Sequence, residues 1–168
     1  MKFVCRNNLF QGVTSTRFGP NDSMSRGMVV TVLGRMAEVD GDDYNVSSFP
    51  DVLPSAWYGP YVQWGYKNEI ITGYGTGYFK PNDAMTRQDL CVVLARYATT
   101  YAKLVLPPSG DLPFKDKGQI ASYAEDAVGA LWAAGIVEGS NGNFNPKAHV
   151  TRAQAATILM RFMQKYGR

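Results

Sequence analysis

A capped helix start recurs three times in this chain. SMSRGMVVTVLGRM runs from 23 to 36, AMTRQDLCVVLARY from 84 to 97 and HVTRAQAATILMRF from 149 to 162. The three align without a gap. Their arginines, Arg26, Arg87 and Arg152, lie 61 and 65 residues apart. Such self-similarity constrains the fold more than any single motif. Each repeat is one supersecondary unit that cannot bury its apolar face alone, so the core must come from packing units together.

The parts of the unit keep their order. A short lead, FPDV at 49–52 and FKDK at 114–117, comes first. An aromatic-rich segment follows at 55–71 and again at 121–137. A glycine turn comes next, at 11–20, 72–81 and 138–146. Phe18, Phe79 and Phe144 each stand two residues before Pro20, Pro81 and Pro146, and each proline stands six before a repeated arginine.

The arginine-bearing segments read as helices. Thr151 with Gln154 makes a capping box, Thr86 with Asp89 a close variant, and Ser25 keeps the cap without the box. Met24, Met85 and Val150 stand before the caps; Val29, Leu90 and Ala155 stand at N4, the placement of a hydrophobic staple. Apolar residues then recur at i, i+3, i+4, i+7 and i+8, as in Leu90, Val93, Leu94, Tyr97 and Ala98. Three related stripes imply helices packed about a shared axis. The aromatic segments read as helices that start near Trp57 and Tyr123, with Pro60 in a first turn, and that end at Gly73 and Gly139. Small β-hairpins are possible within the loops.

The fold class expected is mainly α: three helix–loop–helix repeats in a pseudo-threefold arrangement around a central helical core. The units divide as 1–40, 41–102 and 103–168 and form one domain. Aligning Gly12 with Gly73 leaves the first unit without its opening helix, with only a half-helix over 1–10. The stretches at 39–48 and 103–113 read as linkers.

Two sets of arginines recur. Arg35, Arg96 and Arg161 fall near helix C-termini, where the dipole favours a cation. Arg26, Arg87 and Arg152 fall at N1, where it disfavours one by a few tenths of a kcal/mol, so a compensating anion is expected. One candidate is a carboxylate from a neighbouring unit, such as Asp51 or Asp116. The other is an anionic ligand held by the guanidinium with free backbone N–H groups. The aromatics divide likewise. Trp64, Tyr66 and Trp132 lie mid-helix and read as core. Trp57, Tyr58 and Tyr123 open their helices, where a ring can reach a groove and stack on a sugar; Tyr74 and Tyr78 could join them.

Composition narrows the function classes. The net charge of +3 is a mild bias that does not require nucleic acid. No segment is long and apolar enough to insert in a membrane. The N-terminus lacks a hydrophobic run of signal-peptide length, so the chain is cytosolic or a piece of a secreted parent. Cys5 and Cys91 are too few for a disulfide framework; Cys91 reads as a small core residue. No cofactor, metal or catalytic group is expected: His149 is a lone histidine in a turn, the DGDD at 40–43 fails calcium-loop spacing, and no nucleophile elbow or P-loop occurs.

The whole unit resembles the S-layer homology motif: Phe-x-Asp-Val, an aromatic helix, a glycine turn, Phe-x-Pro, then Thr-Arg-Ala-Glu. The resemblance covers nearly the whole chain. It implies an extracellular module of Gram-positive bacteria that anchors secreted proteins to the cell wall or S-layer without covalent bonds. The implied partner is a secondary cell-wall polysaccharide bearing pyruvylated N-acetylmannosamine, whose ketal carboxylate would meet the N1 arginines. The ligand-binding positions it implies are Arg26, Arg87 and Arg152, the loop residues Gly12 with Val13, Gly73 with Tyr74 and Gly139 with Ser140, and the groove aromatics Trp57 and Tyr123. The signature's acidic last position is Met28, Asp89 and Gln154 here, so only one unit keeps it. Two other readings stand beside this one: a self-association or protein-docking module, with homo-oligomers, and, well behind, an enzyme acting on wall glycans.

Overall fold

The computed structural model describes residues 9–12 and 17–167. Cys5, Val13 and most of the half-helix expected over 1–10 lie outside them. The described residues are mainly helical, with five α-helices and no named strand. They are α1 (Arg26–Met36), α2 (Gly59–Lys67), α3 (Arg87–Arg96), α4 (Glu125–Ala133) and α5 (Arg152–Tyr166).

The caps form as the side chains require. Ser25, Thr86 and Thr151 each accept from the N3 backbone N–H through their hydroxyl oxygens. Thr151 and Gln154 complete the full capping box. Thr86 instead donates its hydroxyl to Asp89 at 2.6 Å. The apolar stripes supply the core. Val29, Val32, Leu33, Leu90, Val93, Leu94, Ala155, Ile158, Leu159 and Phe162 are all buried.

The residues before the caps do more than staple. Met24, Met85 and Val150 are 1%, 1% and 0% exposed. Their backbones form a closed circle: Met85 donates to the Met24 carbonyl at 2.8 Å, Val150 to Met85 at 2.9 Å and Met24 to Val150 at 2.9 Å. A buried amide must find a partner, and each of these finds it in the next segment.

The aromatic helices are shorter than expected. α2 and α4 end at Lys67 and Ala133, six residues before Gly73 and Gly139. The left-handed residues that stop them are Glu69 (φ 58°) and Gly135 (φ 72°). The bonds from Ile70 to the Gly65 carbonyl and from Glu69 to Tyr66 form a Schellman cap, and Ile136 with Leu131 and Gly135 with Trp132 repeat it. Gly73 and Gly139 serve a different need. A Cβ on either would come within 2.6 Å of the Phe49 or Phe114 ring. Glycine there admits the phenylalanine of the preceding lead.

Trp64 is buried as expected, and Trp132 is half-buried. Tyr66 is not core: it is 44% exposed, its ring lying edge-on to Phe49 at 4.9 Å. Within the expected linkers, residues 41–44 form a single 3-10 turn capped by Asp40, and 103–113 runs without regular structure. Among the described residues, the loop hairpins reduce to one isolated bridge, Ser140 with Asn143.

Candidate ligand-binding grooves

The N1 arginines are all bonded to loop carbonyls, and Arg87 also feels the attraction of the expected Asp116. Arg26 donates from Nε to the Phe79 carbonyl at 2.8 Å and from Nη2 to the Thr72 carbonyl at 3.1 Å. Arg87 does the same to Phe144 and Glu138, both at 2.8 Å. Arg152 does so to Phe18 at 2.8 Å and Gln11 at 2.6 Å. The guanidinium carbons also stand 4.6, 4.9 and 4.7 Å from the ring centroids of Phe79, Phe144 and Phe18. Each arginine therefore clamps a glycine turn distant from it in sequence. The nearby carbonyl oxygens offset the unfavourable dipole that the sequence left unexplained.

The helix-start N–H groups are not free either. Those of Arg87 and Gln88 donate to the carbonyls of Ala148 and Pro146, those of Arg26 and Gly27 to Asp83 and Pro81, and those of Arg152 and Ala153 to Asp22 and Pro20. The N3 group is taken by the cap. Asp51 and Asp116, the expected carboxylate partners, hold loop backbone, and Asp116 attracts Arg87 as well. Asp51 accepts from Phe79 and Lys80 at 2.9 and 2.7 Å, and Asp116 from Phe144 and Asn145 at 2.8 and 2.7 Å. These loops are tied down at both ends, which makes rigid groove walls of them.

Three grooves result, built from equivalent parts. The first, of ≈ 350 Å³, brings Arg152 together with Gly12, Met28, Thr31, Arg35 and Trp57. The second, of ≈ 110 Å³, brings Arg26 together with Thr72, Asp89, Arg96 and Tyr123. The third, of ≈ 410 Å³, brings Arg87 together with Glu138, Gly139, Ser140, Gln154 and Arg161. Trp57 and Tyr123, 56% and 61% exposed, line the first and second grooves. Tyr74 lies over Arg26 at 4.6 Å, outside the groove lining, and Gly73 packs on Phe49.

The polar groups inside are unequal. Tyr123 donates its hydroxyl to Asp89 at 2.7 Å and accepts from Gln88 at 3.0 Å. Burial of that inward-turned hydroxyl, then its bond to Asp89, pushes its pKa up to about 12, so it stays a neutral donor at ordinary pH. Burial lowers the pKa of the Arg87 guanidinium, and the nearby Cys91 and Asp116 act the other way. Thr31 is buried, and its hydroxyl has no hydrogen-bond partner in the first groove. The third groove holds an ion pair, Arg161 to Glu138 at 2.9 Å.

Arg35, Arg96 and Arg161 were assigned to helix ends alone, yet each lines a groove. The signal was present in the spacing. Nine residues along a helix turn a side chain roughly 180° from its starting direction. The N1 arginine thus reaches into one groove while its partner on the same helix faces another.

The family model of the S-layer homology domain matches residues 48–91 and 113–156, together just over half the chain. The chain belongs to the S-layer homology domain family. Relatives carry this domain within much longer proteins. Amylopullulanase of Thermoanaerobacterium thermosulfurigenes is 28% identical over 99% of the chain and 9% of its own length. Exoglucanase XynX of Acetivibrio thermocellus is 26% identical over 98% of the chain and 15% of its own length. The S-layer protein sap of Bacillus anthracis is 23% identical over 99% and 20%. The chain thus spans a fifth or less of each of these proteins. With S-layer proteins among its relatives, this S-layer homology domain is an extracellular module of the bacterial cell surface. No helix among the described residues is long and apolar enough to cross a membrane.

Proposed function

We propose that this S-layer homology domain anchors a longer secreted protein by binding an acidic secondary cell-wall polysaccharide in its grooves, with a pyruvylated N-acetylmannosamine residue as the recognised unit. Three repeats, 1–40, 41–102 and 103–168, form the module in a pseudo-threefold arrangement; the closed circle of bonds through Met24, Met85 and Val150 supports this. The module binds and does not catalyse.

One observation carries the reading. The guanidiniums of Arg26 and Arg87 spend Nε and Nη2 on loop carbonyls, and Nη1 has no hydrogen-bond partner among the described residues. An arginine oriented by two fixed acceptors presents its remaining donors at a set angle. That suits a carboxylate, for which charge-assisted bonds are strongest. Trp57 and Tyr123 supply faces for the C–H side of a sugar ring, and Asp89, Gln154 and Ser140 supply groups for its hydroxyls.

The test is calorimetric titration of the intact chain with native wall polysaccharide and with the same polymer stripped of pyruvate by mild acid. The comparison leaves the protein untouched, which matters because the arginines also hold the fold. Binding that needs the pyruvate is the expected result. Equal binding of both polymers would overturn the acid recognition. No binding, with concentration-dependent oligomers instead, would favour a protein-docking module.

A further inference from the structure

The second groove does not end where its neighbours do. Its wall residues Ile71, Thr72 and Arg96 also line a separate open cavity of ≈ 680 Å³, bounded by Tyr66, Lys67 and Thr100. The two cavities lie side by side with the Arg96 side chain between them. Among the described residues, Arg96 makes no hydrogen bond or ion pair through its guanidinium. Tyr66 offers an exposed ring, with its edge fixed by Phe49.

A local change of backbone borders this space. α3 passes into a π-helical turn over Tyr97–Tyr101, closed by the Ala102 N–H on the Tyr97 carbonyl. Such turns are frequent at functional sites. Thr100 sits in this turn and donates to the Arg96 carbonyl at 2.6 Å, with a longer approach to Asn68 at 3.3 Å. The third unit is built differently. α5 continues unbroken to Tyr166, Lys165 replaces Thr100 and donates to the Ala134 carbonyl at 2.7 Å, and Glu138 neutralises Arg161. There Lys165 is tied to backbone and the cation is taken.

Resting on the proposed glycan reading, we infer that this shelf is a second sugar subsite: it holds the residue next to the recognised acidic sugar, stacked on Tyr66 and hydrogen-bonded by Arg96. The second groove therefore reads more than one sugar of the polymer. Lys67 and Glu69 flank the shelf and nearly cancel in charge, which leaves Arg96 as the cation whose donors meet the hydroxyls of the second sugar. One ring contact and one charge-assisted hydrogen bond, less the cost of ordering a further sugar, correspond to an affinity gain on the order of tenfold.

Titration of the intact chain with the pyruvylated monosaccharide, and with wall fragments of two and three sugars that end in it, tests the inference. The longer fragments bind more tightly, Tyr66→Ala removes the gain while leaving monosaccharide affinity unchanged, and Tyr66→Phe keeps it. In spectra of the wild-type protein, the Tyr66 and Thr100 amide resonances shift with the longer fragments alone. Those spectra decide the matter if Tyr66→Ala fails to fold. A monosaccharide that binds with no gain from length, or a gain that survives in folded Tyr66→Ala, overturns the shelf and leaves the groove standing. A monosaccharide that does not bind removes both.

Discussion

The carboxylate of Glu138 rests on the guanidinium of Arg161 at 2.9 Å, inside the third groove. At the aligned position of the second unit stands Thr72, and Arg96 there has no such partner. One groove thus carries its own anion, and in the other the arginine keeps its donors open. Both side chains of the pair are partly exposed, so it contributes at most about 1 kcal/mol to stability.

Glu138→Gln should therefore leave the melting temperature nearly unchanged. It should raise the affinity of the third groove for an acidic sugar severalfold, because no internal carboxylate has to be displaced. Thermal unfolding and calorimetric titration would check both halves. Unchanged affinity in a chain that binds through that groove would mean the pair opens at no cost.

Arg87→Lys should destabilise the fold by about 1–3 kcal/mol, although it keeps the charge. A lysine ammonium cannot reach the Phe144 and Glu138 carbonyls together in the fork geometry that Nε and Nη2 use. Denaturant unfolding of the free protein measures this without a ligand. A loss below about 0.5 kcal/mol would show that the clamp is decorative.

Glu69→Gly should stabilise the chain by about 0.5–1 kcal/mol. Glu69 occupies the left-handed position that ends α2, at φ 58°, where the third unit already has Gly135. Its exposed side chain makes no hydrogen bond that the change would remove. A lower denaturation midpoint would contradict the account of the cap.

Cys91 should resist alkylation in the folded protein at pH 8 and react once it is unfolded, measured in a Cys5→Ser background. Burial pushes its thiol from an ordinary 9.0 up to about 12, and only the thiolate is nucleophilic. The fold favours the protonated form. Its contribution to stability is thus complete below about pH 9 and is lost as the pH climbs toward 12. Rapid alkylation at pH 8 under native conditions would refute this burial.

The local grammar of the chain was legible. Caps, staples and apolar stripes depend on residues within two turns of one another, and α1, α3 and α5 begin where Ser25, Thr86 and Thr151 say they should. What could not be read was set at long range. The carbonyls that hold Arg26, Arg87 and Arg152 come from turns some fifty or more residues away in sequence, and a carbonyl leaves no mark in a sequence. Asp51 was correctly picked out as an anion and then given the wrong partner, since backbone N–H groups are equally invisible. The early end of α2 was concealed because glutamate fills a glycine's place, though aligning it with Gly135 would have exposed it. Tyr66 sits on a helix next to Trp64, and periodicity alone does not show that its ring clears the core.

The circle through Met24, Met85 and Val150 also bears on how the molecule yields under load. Each helix start is completed by backbone from another unit, so no unit can peel away without leaving amides and carbonyls bare on two sides. A tether holding an enzyme or a lattice subunit against shear would then have no weak link to give way first. It should rupture as one body, at a single force, and a nick between units should weaken it far more than the few residues severed would suggest.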